Sequence, residues 1–487
     1  MQQLSMTDAF MLAAETDRQK LQMASVSILA PPANNRQRLT RKRLHEHIAK
    51  RIDLAPMLRR KLMHVPLGLD FPYWVDAHDL DLDYHIRATK LSSPAGDEEL
   101  AAAVSQIVSE PFDHSHPLWQ LHLIEGLTGD RSALVFKLHH ASVDGISGIE
   151  LHWVVFDPSP ETRRMPPAAA RTAPPIAPST ATMLTNAITA LPGQALRAIV
   201  STARSLPYLD HLMPYRVTPG VPTVAAASRR ILGLLPGDYK PVVLEGTALR
   251  VPATVFDRPV SGQRRWAFAR LSLESARKLK HHFGITLNDV IVATMAGAVR
   301  SWLLESQELP DEPLVAVVPI SVRCEDAAFG GNEVQVMLIE LPTDEPDAQR
   351  RLIRAHEGLR SAKERHNAVP VDAMRAANDM LMPALFIRAS RAAMLLTGLR
   401  GPSANLIVSN VPGPTKPVYV AGTQVEALYP VGGVVGGFGL SAIVFSYCDA
   451  LQFGFVVDAN CPADPWRLAD ACEREQKELL SLLPSLD

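Results

Sequence analysis

Apolar and polar positions alternate along this chain with two different periods, and those periods mark its elements. LQMASVSIL (21–29), LWQLHLIEGL (118–127) and SALVFKLHH (132–140) follow the two-residue period of strands, the last two joined by a TGDR turn. LTRKRLHEHIAKRID (39–53) and DEELAAAVSQIVSEPF (97–112) repeat their apolar residues every three or four positions, which predicts helices with one polar face. SMTDAFMLAAET sets Ser5, Thr7 and Asp8 ahead of apolar residues, a helix start.

A second patterned block begins near 255. LSLESARKLKHHFG (271–284) predicts a helix ending at Gly284, and TLNDVIVATMAGAVRSWLLES (286–306) a more buried one capped by Thr286 or Asn288. PLVAVVPISV (313–322), EVQVMLIELP (333–342) and SANLIVSNVPG (403–413) read as strands. LSAIVFSYCDALQFGFVVD (440–458) reads as a hairpin turning at Asp449 and Ala450, and a helix closes the chain. The fold class expected is α/β, in two halves.

Between the blocks the pattern fails. Residues 158–222 hold 12 of the 39 prolines, so little regular packed structure is expected there, only short amphipathic turns within 185–216. The predicted organisation is a first domain at 1–157, a connector at 158–254 and a second domain at 255–487. From 161 to 235 there are eight Arg against one Glu and one Asp. Such a basic, apolar, proline-broken stretch either packs on its own protein or lies on an anionic membrane surface.

Composition narrows the function classes. The 487 residues are 47% hydrophobic and 21% charged with a net charge of -2, which gives no global attraction to nucleic acid. Cys324, Cys448, Cys461 and Cys472 form no CxxC pair, which points to a reducing, cytoplasmic setting. The first residues lack the pattern of a signal peptide, and no apolar run reaches the about 18 residues of a membrane span.

The candidate chemistry lies in KLHHASVDGIS (137–147). Alternation sets Leu134, Phe136, Leu138 and His140 on one strand face and Val135, Lys137 and His139 on the other, so His140 should continue the apolar row into a buried or channel-like space. Adjacent histidines then diverge, which argues against one shared metal ion. Asp144 and Gly145 follow where a helix is expected to start. Their cap and turn would support His140 as a general base, since imidazole can take and return a proton near neutral pH. A hydroxyl activated there could attack a thioester directly, and the chain has no GxSxG nucleophile elbow. The second pair, His281 and His282, sits on a charged helix without a trailing Asp-Gly and reads as solvated.

His139, His140, Asp144 and Gly145 match HHxxxDG, a motif of the CoA-dependent acyltransferase superfamily. With Pro117-Leu118-Trp119, YHIR (84–87), Asn288-Asp289 and SNVPGP (Ser409 to Pro414), the chain resembles the bacterial wax ester synthase/acyl-CoA:diacylglycerol acyltransferase family over nearly its whole length. The resemblance implies two chloramphenicol-acetyltransferase-like domains with mixed sheets flanked by helices, and a tunnel between them. It implies acyl-CoA as donor substrate, no cofactor or metal, and a long-chain alcohol or diacylglycerol as acceptor. The setting would be cytoplasmic, with peripheral contact to membrane or lipid inclusions. His140 would be the base and Asp144 structural, paired with Arg59 or Arg60. His139 would belong with His140 and Asp144 to the catalytic group, and Gly145, Pro117, Leu118, Trp119, Asn288 and Asp289 would shape the site. Ser409, Asn410, Pro412 and Gly413 would line the tunnel, and Asn288 is a candidate to hold the oxyanion. Two rival readings remain: transfer to another alcohol or an amine, and a non-catalytic lipid-binding protein.

Overall fold

The structure is a computed structural model that describes residues 2–32, 38–77, 79–143, 151, 154–161, 163, 177–211, 220–233, 249–321, 334–400, 404–436 and 438–484. Asp144 and Gly145, and with them the helix start expected after His140, lie outside the described residues.

Two six-stranded mixed sheets organise the chain. The first runs, edge to edge, Tyr419–Val420, Thr423–Val431, Gln22–Leu29, Arg131–His139, Trp119–Leu127 and Ile86–Ala95. Its strands are antiparallel except the last pair. The second runs Val334–Leu341, Leu314–Ser321, Leu406–Pro412, Leu440–Tyr447, Ala450–Asp458 and Arg264–Ser272. Leu406–Pro412 is parallel to both its neighbours, while the other pairs are antiparallel.

Thr423–Val431 therefore leaves the half in which its sequence lies and pairs with Gln22–Leu29 of the other. Where it crosses, the sheets come into close contact. A Cβ on Gly454 would lie 1.7 Å from the Pro430 carbonyl oxygen, so only glycine fits. Trp266 Nε1 donates to the same oxygen at 3.1 Å, and the Leu428 N–H donates to the Gln452 side chain. A buried bidentate pair, Arg51 Nη2 to both Asp157 oxygens at 2.8 Å, braces the crossover from outside, because Asp157 bridges Tyr419.

The predicted connector differs from expectation. Thr180–Ser205 is one helix of 26 residues with Pro192 inside it, and Val221–Leu232 is a second. Met183 and Ala187 pack against Val65, Met63, Leu69 and Tyr73, and this tertiary packing stabilises a helix that local proline content argued against. In the second half, the helix Leu287–Glu305 is buried almost all round. Among the described residues no single helix is long and apolar enough to cross a membrane.

Candidate active site

The strand that delivers the histidines is Arg131–His139, one position short of the expected end. Leu134, Phe136 and Leu138 pack with Trp119, Leu121, Leu44 and Ile48 on one face. Ala133 and Val135 pack on the other with Leu100, Val104, Trp266 and Phe268. Lys137 and His139 are both fully buried. His140 opens a 3-10 turn, His140–Val143, so it leaves the strand alternation.

Each histidine is fixed by backbone as well as side chain. The His139 N–H donates to the Leu118 carbonyl at 3.0 Å and the His140 N–H to that of Leu21 at 2.9 Å. The Ala141 N–H donates to His139 Nδ1 at 3.1 Å, which leaves the ring proton on Nε2. Nε2 lies 3.4 Å from Glu15 Oε2, and His114 Nε2 lies 3.1 Å from the same oxygen. Burial alone would raise the Glu15 pKa, but the His114 and His139 rings outweigh it and hold the carboxyl at about 2. Lys137, beside His139 on the strand, donates to the Glu110 carbonyl at 2.6 Å, and burial pushes its ammonium down to about 7.

His140 is exposed to solvent, unlike its neighbour. Desolvation by the surrounding protein nevertheless lowers its pKa, the His139 ring adds to the depression, and a hydrogen bond with its own backbone opposes it. The ring is thus exposed rather than pointed into a buried space as the strand alternation predicts, because the 3-10 turn carries it off the strand. Its lowered pKa favours neutral imidazole, the form that accepts a proton. By contrast His281 and His282 are simply exposed, as their charged helix implied.

The Pro117-Leu118-Trp119 segment sits directly under this turn. Leu118 packs with Ala141, Leu4, Leu62, Trp74 and Phe112. Trp119 Nε1 donates to the Leu58 carbonyl at 2.6 Å, and its ring stacks on His85 at 4.2 Å. His85 in turn donates from Nδ1 to the Trp119 carbonyl at 2.7 Å, and burial pushes its pKa down to about 4. Tyr84, from the same YHIR segment, stacks on His116 at 3.8 Å.

The two arginines expected near Asp144 have other partners. Arg59 Nε donates to Asp53 at 2.8 Å, and Arg60 lies 3.9 Å from Asp76 and donates to Gln2 at 3.0 Å. Asn288 and Asp289 open the helix Leu287–Glu305. Asp289 is buried, accepts from the Thr286 N–H at 2.7 Å and meets His356 Nδ1 at 2.8 Å. Ser409, Asn410 and Pro412 lie on the strand Leu406–Pro412, with Asn410 opposite Val444 and Pro412 opposite Ser446. A Cβ on Gly413 would come 2.3 Å from the Ser446 carbonyl, so this loop needs glycine. The next strand carries Tyr447 into the cluster of Leu138 and Trp119, and Phe445 packs against it. The strand beside the late loop and the histidine strand thus share one apolar cluster, which Ser409, Asn410, Pro412 and Gly413 themselves do not join.

A cavity of about 130 Å³ also lies between the halves, lined by Ile28, Leu127, Arg131, Phe268, Arg270 and Tyr429. It adjoins the start of the histidine strand, about 25 Å from His139 at the usual rise per residue, and is not the tunnel expected at His140. Glu15, which no motif marked, is the functional candidate that sequence reasoning missed. It is an ordinary acid just past a helix end, and only folding brings it to His139.

Residues 4–291 match the family model of the wax ester synthase/diacylglycerol acyltransferase catalytic domain, and residues 330–480 that of the family's C-terminal domain. Two Mycobacterium tuberculosis proteins named diacylglycerol O-acyltransferases are similar throughout. One is 31% identical over 99% of this chain and 90% of its own length. The other is 30% identical over 99% and 97%. In fold, the chain resembles the wax ester synthase/diacylglycerol acyltransferase of Marinobacter aquaeolei VT8, with a TM-score of 0.67, 24% identity and 98% of each chain covered. It also resembles the first condensation domain of the calcium-dependent antibiotic synthetase, with a TM-score of 0.51, 13% identity and 98% and 95% covered. Matched over both of its domains and nearly its full length, this chain belongs to the wax ester synthase/diacylglycerol acyltransferase family and is an O-acyltransferase.

Proposed function

We propose that the enzyme transfers a long-chain acyl group from acyl-CoA to a long-chain alcohol, and also to diacylglycerol, with His140 as general base. The supporting observation is the state of that ring: reachable from solvent yet desolvated, hence neutral and able to take a hydroxyl proton. The alcohol oxygen attacks the thioester carbonyl as its proton passes to His140. The tetrahedral oxyanion collapses, the carbon–sulfur bond breaks, and the imidazolium returns the proton to the leaving CoA thiolate. No covalent acyl-enzyme forms and no cofactor takes part. Asn288 at the buried helix start is the proposed oxyanion donor. Holding both substrates together lowers the barrier by up to about 7–11 kcal/mol, and each oxyanion donor by about 3 kcal/mol.

Water-insoluble acceptors imply work at a lipid surface, at the membrane or at lipid inclusions. The names of the M. tuberculosis relatives favour diacylglycerol as one acceptor. The test sets hexadecanol against dioleoylglycerol for labelled palmitoyl-CoA. Both esters are expected. Neither ester, with an amine or a short alcohol acylated instead, would overturn the assignment of the acceptor. Palmitoyl-CoA bound without any turnover would favour a lipid-binding protein.

A further inference from the structure

The helix Thr180–Ser205 exposes more apolar surface than a helix that meets only protein and water would. Its buried side chains are Met183 and Ala187 near the start and Gln194, Ser201 and Ser205 further on. Those turned outward include Ile188, Leu196, Ile199 and Val200, which are 56%, 65%, 69% and 41% exposed. Ile188, Pro192, Leu196, Ile199 and Ala203 recur at intervals of three and four, so they form one continuous stripe down the solvent side, and Thr185 extends it without charge. The helix contains no Asp or Glu, while Arg197 and Arg204 flank the stripe.

The apolar surface does not stop at this helix. Leu67, 77% exposed, lies on the turn Pro66–Gly68, which the helix contacts. Arg388 Nη2 donates to the Leu67 carbonyl at 3.0 Å, and Leu385 on the same helix as Arg388 is exposed as well. That helix, Pro383–Arg400, packs on Met6–Ala14, with Phe386 against Phe10. Met6–Ala14 packs in turn on the His140–Val143 turn and ends beside Glu15. The exposed stripe is therefore joined to the histidine turn through two packed helices.

We propose that this stripe is a docking face that sets the enzyme on an anionic lipid surface. Its aliphatic side chains enter the acyl boundary while Arg197 and Arg204 meet the headgroups. An exposed apolar row on a helix whose own charged side chains are all cationic suits that partner, since burial of the row and headgroup attraction both favour it. The proposal deepens the acyl-transfer reading by stating where a water-insoluble acceptor is met, and binding itself requires no turnover.

The test is flotation of the full chain with vesicles of equal parts phosphatidylglycerol and phosphatidylcholine. The wild type is expected to float, more weakly with phosphatidylcholine alone or at high salt. The triple variant Ile188→Ser, Leu196→Ser, Ile199→Ser is expected to lose at least about tenfold in partition with its melting temperature unchanged. Ile199→Trp, on the same face, is expected to raise partition, with a blue-shifted tryptophan emission in the presence of vesicles. The triple variant should also acylate a water-soluble alcohol from acyl-CoA as the wild type does, while losing turnover of vesicle-borne dioleoylglycerol. Equal flotation of wild type and triple variant overturns the proposal. So does a wild-type dimer in sedimentation velocity that the triple variant abolishes, since the stripe would then join two copies. Loss of every acyl-transfer activity in the wild type would overturn the catalytic reading and leave the flotation result standing.

Discussion

Glu15 and His139 face each other across 3.4 Å inside the fold, one residue away from the proposed base. The pair ties the end of the first helix to the last residue of the histidine strand, and His114 closes the other side of the same carboxylate oxygen. In the proposed mechanism Glu15 acts through His139, which accepts from the Ala141 N–H of the turn that carries His140. Glu15→Gln is expected to lower kcat more than it raises the KM for acyl-CoA, because the turn loosens while the donor site stays. An unchanged kcat in steady-state assays would show that the contact is only structural.

The same carboxylate predicts an acid-dependent stability difference. Its folded-state pKa is depressed from 4.5 to about 2, so its contribution is present above 4.5 and is lost as pH falls towards 2. Denaturant titrations of wild type and Glu15→Gln should differ at pH 5 to 6 and converge between about 4.5 and 2. A gap that widens on acidification would contradict this.

With His140 as the proposed base, its ring sets the acid limb of catalysis. Desolvation lowers its pKa below the ordinary 6.5, so the base stays neutral into mildly acidic solution. The acid limb of a kcat/KM profile is expected below pH 6.5, and a limb above that value would count against His140 as the base.

The buried pair Arg51–Asp157 holds the crossover to the first half. Asp157→Ala strands a buried guanidinium and is expected to cost about 3–5 kcal/mol in chemical denaturation. A loss below about 1 kcal/mol, the scale of an exposed pair, would mean that the pair contributes nothing special.

Asp289 caps the buried helix and meets His356, and it directly follows Asn288, the proposed oxyanion donor. Asp289→Ala removes both contacts and is expected to cost about 1–2 kcal/mol of stability and to lower kcat. His356→Phe keeps the cap and should reduce kcat with a smaller change in melting temperature. An unaltered kcat in both variants would remove Asn288 from the oxyanion role.

Much of this was legible in the residues. Strict alternation in 132–140 corresponds to the strand Arg131–His139, and the hairpin read at 440–458 is the pair Leu440–Tyr447 and Ala450–Asp458. The opposed environments of Lys137 and Leu138 also follow from that alternation. The partner of Thr423–Val431 was not legible: its local pattern is strand-like, but nothing local says that it pairs with Gln22–Leu29 nearly four hundred positions away. The helix around Pro192 was missed because proline weighs heavily in a local reading, whereas Met183 and Ala187 gain packing on Val65. The place of Leu118 was marked only by the resemblance, and in the fold it packs with Ala141 of the histidine turn and accepts from the His139 N–H. Glu15 carries no signal, since a single acid after a helix is common and its meaning is tertiary.

The most direct measurement is ester formation by His140→Ala from labelled palmitoyl-CoA with hexadecanol and with dioleoylglycerol. The account predicts that both products fall by about 10²–10⁴-fold while palmitoyl-CoA still binds. Ester formation at the wild-type rate in that variant would contradict it.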